Sequence, residues 1–76
     1  MPNADLLVVA GLAAEVLERH GLVACGRRED GITHVDFWTP DGKVYRHTVE
    51  ASASSVDEVV AACLVLAGIA PAGARS

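Results

Sequence analysis

The sequence is poor in the residues and motifs that usually mark an active site. Among its 76 residues are one Phe, one Trp, one Tyr, two Cys and three His. Cys25 and Cys63 are too few and too far apart for a disulfide framework or a C-x-x-C redox or zinc motif, so both read as free thiols in a reducing compartment. Ser52, Ser54 and Ser55 lack the G-x-S-x-G setting of a nucleophile, and no glycine-rich phosphate loop is present. Asp36 and Glu50 are too isolated to form an acid–base pair. His34, His47 and Cys25 come nearest to a metal set, but no third ligand stands at a diagnostic spacing. The expectation is a protein with no catalytic residue, metal, cofactor or small-molecule substrate.

Basic residues are scarce too. Six Lys and Arg face ten Asp and Glu, giving a net charge of −4. The first helical region is negative through Asp5, Glu15 and Glu18 against Arg19. The last is negative through Glu50, Asp57 and Glu58 against Arg75. In the middle, Arg27, Arg28, Lys43 and Arg46 balance Glu29, Asp30, Asp36 and Asp41. Binding to phosphate backbones needs a cationic surface, so a basic protein partner fits this chain better. The apolar run 59–70 is too short to span a bilayer and is broken by Gly68, with Pro71 just beyond. Asp5 stands where a secretory leader would be basic. A soluble cytoplasmic protein with no membrane contact is expected.

What the chain does have is concentrated in residues 32–50. This stretch holds Phe37, Trp38 and Tyr45, two of the histidines and the strongest turn signal. Pro40 presets φ for the first turn position, Asp41 suits the second, and Gly42 accepts positive φ. Together they predict a three-residue hairpin loop closed by a G1 bulge, with Thr39 paired to Lys43. Counting outward opposes Trp38 to Val44, Phe37 to Tyr45, Asp36 to Arg46, Val35 to His47 and His34 to Thr48. A two-residue Asp41-Gly42 loop would instead oppose Arg46 to Phe37. The first register gives an ion pair and an aromatic pair, worth roughly 0.2–1 kcal/mol each. It also puts Val35, Phe37, Tyr45 and Val49 on a core face. Ile32, His34, Asp36, Trp38, Val44, Arg46 and Thr48 fall on the other, and the two histidines point to opposite faces.

The flanks supply helices. Residues 4–20 carry a stripe of Leu6, Val9, Ala13, Val16 and Leu17, with Asn3 as N-cap and Gly21 as stop. Residues 22–28 read as a strand and Glu29-Asp30-Gly31 as its turn. Strands follow over 32–39 and 43–50. Ser55 and Glu58 fit a capping box that opens a second helix running to about Gly68. Its stripe is Val56, Val59, Val60, Cys63 and Ala67. Leu7, Val8, Leu12, Leu64, Val65 and Leu66 crowd the remaining helix surfaces, which favours burial on more than one side and a possible homodimer through them. The expected fold is α+β: a three-stranded antiparallel sheet with two helices on one face, order α-β-β-β-α. Residues 1–76 form one domain, with 71–76 a loose tail.

That element order resembles the double-stranded RNA-binding domain over most of the chain, at the level of topology. The family opens its second helix with phosphate-gripping lysines. Here Ser55-Val56-Asp57-Glu58 is acidic, so the family's RNA-binding role is not carried over. An RNA or DNA binder using Arg27, Arg28, Lys43 and Arg46 on the sheet face is the alternative.

The leading expectation is a non-catalytic protein-binding module, an inhibitor that occludes part of a larger protein or nucleoprotein complex. Phage- or mobile-element-encoded anti-CRISPR proteins are the example that size, charge and lack of chemistry suggest. Partner-binding residues are expected on the sheet face at Trp38, Asp36, Arg46, Val44 and His34, and among the helix carboxylates Glu15, Glu18, Asp57 and Glu58. Trp and Arg are the types most enriched at binding hot spots.

Overall fold

The computed structural model describes residues 5–69. Helix α1 spans Leu6–Arg19, strands β1, β2 and β3 span Val23–Glu29, Ile32–Trp38 and Val44–Thr48, and helix α2 spans Val56–Ala67. A short 3₁₀ turn at Ala51–Ala53 bridges β3 to α2. The sheet is antiparallel in the order β1-β2-β3. α1 lies over β1 and β2, α2 lies over β3, and the helices touch each other. The α-β-β-β-α architecture expected from the sequence is the one observed.

Local chemistry explains the boundaries. α1 starts at Leu6, two residues later than expected, because the Asp5 carboxylate accepts the Leu7 N–H at 2.9 Å and serves as N-cap. Asn3, the cap anticipated, lies outside the described residues, as does the expected tail at 71–76. Both helices end alike. Gly21 N–H donates to Glu18 O and Leu22 N–H reaches back to Leu17 O; Gly68 and Ile69 do the same to Val65 and Leu64. The glycines have φ of +87° and +76°, as this Schellman geometry requires. At the start of α2 the capping box is complete: Glu58 N–H donates to Ser55 Oγ at 3.1 Å and Ser55 N–H to the Glu58 carboxylate at 3.3 Å.

Two turns set the sheet register. Asp30 (φ +53°) and Gly31 (φ +78°) both adopt positive φ, which makes the β1–β2 link a two-residue type I′ turn. In the β2–β3 loop, Thr39 N–H donates to Lys43 O and Gly42 N–H to Thr39 O, both at 2.9 Å. The pairing is therefore Trp38 with Val44, Phe37 with Tyr45, Asp36 with Arg46, Val35 with His47 and His34 with Thr48, the register the three-residue loop implies.

The core lies between the helices and one sheet face. It contains Val35, Phe37 and Val49 from the sheet side, Val9, Ala10, Ala13 and Leu17 from α1, and Val59, Val60, Cys63 and Leu64 from α2. Leu64, expected on a crowded flank, is instead buried. Ala10 and Ala14, absent from the expected stripe, are buried as well. Phe37 and Tyr45 stack with centroids 5.3 Å apart. α1 approaches the sheet closely over Gly26, where a Cβ would lie 2.9 Å from Ala10 Cβ and 3.0 Å from the Ala10–Gly11 backbone.

That closeness makes Gly26→Ala destabilising by about 1–3 kcal/mol, because α1 must move to admit a methyl group. Gly11, inside α1 with open space around it, behaves oppositely: Gly11→Ala stabilises by about 0.5–1 kcal/mol. Urea denaturation in dilute solution measures both.

Candidate functional site

No helix covers the second sheet face, and the strand registers lay its residues out in rows. Val23, Trp38 and Val44 form the first row, and Cys25, Asp36 and Arg46 the second. Arg27, His34 and Thr48 form the third, and Glu29 and Ile32 close the face. The first row is apolar and open: Val23 is 63 % and Val44 62 % exposed, with the half-buried Trp38 between them. Ile32 adds an exposed apolar residue at the far end.

The centre of the face is a closed ring of four charges. Arg46 Nε donates to Asp36 Oδ1 at 2.7 Å and Arg46 Nη2 to Asp36 Oδ2 at 3.0 Å, a two-pronged arrangement that suits a planar guanidinium. Arg46 Nη1 also reaches Glu29 at 3.2 Å. Arg27 lies 3.3 Å from Glu29 and 3.8 Å from Asp36, which completes the circuit. The ring is electrically neutral.

Asp36 is its anchor. Although it belongs to the helix-free face, it is only 6 % exposed. Its hydrogen bonds to Arg46 hold the carboxyl below its ordinary value of 3.8, with the nearby charges of Arg46, Arg27 and His34 adding to the effect against the cost of burial. The same bonds raise the Arg46 pKa, so this pair stays charged throughout the neutral range.

The sheet-face residues singled out by sequence, Trp38, Asp36, Arg46, Val44 and His34, do lie together on this face. His34 Nδ1 sits 3.2 Å from Thr48 Oγ1. Val23, Cys25 and Glu29 join these residues from β1, brought there by a β1–β2 register that the Asp30-Gly31 turn sets. The four basic residues expected on the sheet face in the alternative, nucleic-acid-binding reading are split by the structure. Arg28 alternates onto the helix side and bonds the Asp5 carboxylate at 3.1 Å, and Lys43 lies 4.0 Å from Asp41 at the loop. Arg27 and Arg46 are tied into the ring.

The helix carboxylates are not one cluster with this face. Glu15 and Glu18 are exposed on the C-terminal half of α1, and Asp57 and Glu58 on the first turn of α2. Glu58 is occupied by its cap. His47 lies on the helix side of the sheet, half-buried, and burial lowers its pKa below 6.5. Cys63 is buried in the core, which pushes its thiol up to about 12, whereas Cys25 is exposed. Among the described residues no three His, Cys, Asp or Glu side chains are placed to hold a metal ion. No described helix is long and apolar enough to cross a membrane.

No protein-family model, curated protein or solved structure matches this chain. Its function is therefore argued from the surface just described.

Replacing Asp36 with Asn strips the ring of its anchor and leaves Arg46 without its two-pronged partner. The expected loss at neutral pH is about 1–2 kcal/mol, at the low end for a buried pair because Arg46 is itself part-exposed. Since the folded-state pKa of Asp36 is depressed, its contribution is present above 3.8 and is lost as pH falls through the folded value. Denaturation curves of wild type and Asp36→Asn should therefore differ at pH 7 and converge in strong acid.

Proposed function

We propose that the chain is a non-catalytic protein-binding module that inhibits a larger complex by occluding a cationic, nucleic-acid-reading surface, as anti-CRISPR proteins do. The observation that carries this reading is how charge is committed. Among the described residues, Arg27, Arg28, Lys43 and Arg46 each have a carboxylate within 4.0 Å, and Arg19 alone of the Lys and Arg side chains does not. Glu15, Glu18, Asp30, Glu50 and Asp57 have no such cationic partner there. The charge left to interact with other molecules is thus acidic. Such a surface repels phosphate and attracts the Lys and Arg side chains that would otherwise hold it.

These carboxylates lie on or beside the helices and turns, apart from the open sheet face. They act through the long-range field that steers and orients a cationic partner, and contact needs an anchor on the sheet face as well. Trp38 between Val23 and Val44 supports that part of the reading, as an amphipathic aromatic in an apolar row with a satisfied polar centre beside it. The neutral ring adds no desolvation penalty from unpaired charge when a partner covers it.

The test is a gel-shift assay of DNA binding by purified RNA-guided nuclease complexes, with and without the protein. Wild type should suppress DNA binding. Trp38→Ala should weaken inhibition roughly thirtyfold, the size of a hot-spot loss of about 2 kcal/mol. Glu15→Lys with Glu18→Lys and Asp57→Asn should weaken it by about tenfold or more while circular dichroism is unchanged; Glu58 is left intact because it caps α2. Inhibition indifferent to both variants would contradict the proposal. So would direct, steeply salt-dependent binding of the protein itself to duplex RNA or DNA.

A further inference from the structure

β1 is a seven-residue edge strand, longer than the five-residue β3 on the other edge. It pairs with β2 one-to-one along its whole length, without a bulge, and contains no proline. Short length, a bulge or a proline protects many sheet edges, and β1 has none of these three; its charged residues, Arg27, Arg28 and Glu29, are confined to its C-terminal end.

The hydrogen-bond ladder identifies its free backbone groups. Val49 N–H donates to Thr33 O and Thr39 N–H to Lys43 O, so Thr33, Val35, Phe37 and Thr39 direct their main-chain groups toward β3. Ile32, His34, Asp36 and Trp38 therefore direct theirs toward β1, where they meet Glu29, Arg27, Cys25 and Val23. That leaves Ala24, Gly26 and Arg28 with N–H and C=O turned outward. None of these groups has another hydrogen-bond partner among the described residues.

We infer that two copies of the chain pair antiparallel through β1, about a twofold axis at Gly26, into one continuous six-stranded sheet. A second copy fits this edge as occupant because it brings a strand of the same length whose charges can be kept apart from those of the first. Gly26 is the middle residue of Val23–Glu29, and the outward groups fall evenly about it. The same strand turned end for end presents Ala24 to Arg28 and Gly26 to Gly26, so every outward donor meets an outward acceptor.

Charge fixes the register. With the axis at Gly26, Cys25 faces Arg27 and Val23 faces Glu29, and no like charges are opposed. An axis at Arg27 or Arg28 would set that arginine against its own copy. One at Ala24 or Cys25 would shorten the ladder and leave the charged end of the strand unpaired. At the axis stand the small residues Gly26 and, directly above it in α1, Ala10. The pairing leaves the row of Val23, Trp38 and Val44 uncovered, so it is independent of the function proposed above.

Sedimentation velocity at high micromolar concentration tests it. Wild type should sediment as a dimer and Ala24→Pro as a monomer with an unchanged circular dichroism spectrum, because the Ala24 N–H makes no bond within one chain and proline there removes only the intermolecular one. A monomeric wild type, or an Ala24→Pro variant that remains dimeric, would overturn the inference. Arg27→Cys gives a second readout should the proline variant not fold. Positions 25 and 27 of opposite copies would face each other with Cα atoms about 4.5 Å apart, within reach of a disulfide. Mild oxidation should then link the new thiol to Cys25 of the second copy, seen by peptide mass mapping. Absence of that cross-link would equally overturn it.

Discussion

A three-stranded sheet has two faces, and α1 and α2 lie on one of them. Phe37, Val35, Leu17 and Val59 are sealed on that side, in a core built mainly from Ala, Val and Leu. The other face has to remain stable without a helical cover. With no helix to bury apolar side chains there, the chain uses charge: the two-pronged Arg46–Asp36 pair, extended by Glu29 and Arg27, covers the middle of the sheet with groups that satisfy one another. No buried side-chain polar atom among the described residues lacks a partner.

This solution has a consequence for what the surface can recognise. Arginines that brace the sheet are not available for phosphate, while Glu15, Glu18, Asp30, Glu50 and Asp57 have no cationic partner among the described residues. The charge left over on the described residues is therefore acidic. The proposed role as an occluding partner of a cationic surface follows from that sign together with the apolar row around Trp38, not from topology.

Much of this was legible in residues 32–50 because turn chemistry is local. Pro40, Asp41 and Gly42 leave few loop geometries, and one pair of opposed residues then determines the rest of the hairpin. The capping box at Ser55 and Glu58 is equally local. Less legible were features that depend on two distant elements. The burial of Asp36 required knowing that Arg27 and Glu29 of β1 lie beside it, and the removal of Arg28 to the helix side required the β1 alternation. Helical spacing alone could not tell Leu64, which is buried, from Val65, which is not, because α2 is apolar around most of its circumference. The Asp5 cap was missed in favour of Asn3, since both are good N-cap residues and only the backbone geometry chooses between them.

The proposed role requires the tryptophan-bearing face to be reachable from solvent. Trp38 is the chain's sole tryptophan, so its fluorescence reports on that face alone. Acrylamide quenching of the folded protein should be substantial, though weaker than in the urea-unfolded chain, with emission between the buried and fully solvated limits. A blue-shifted emission that acrylamide does not quench would show the indole sealed away, and the open face with it.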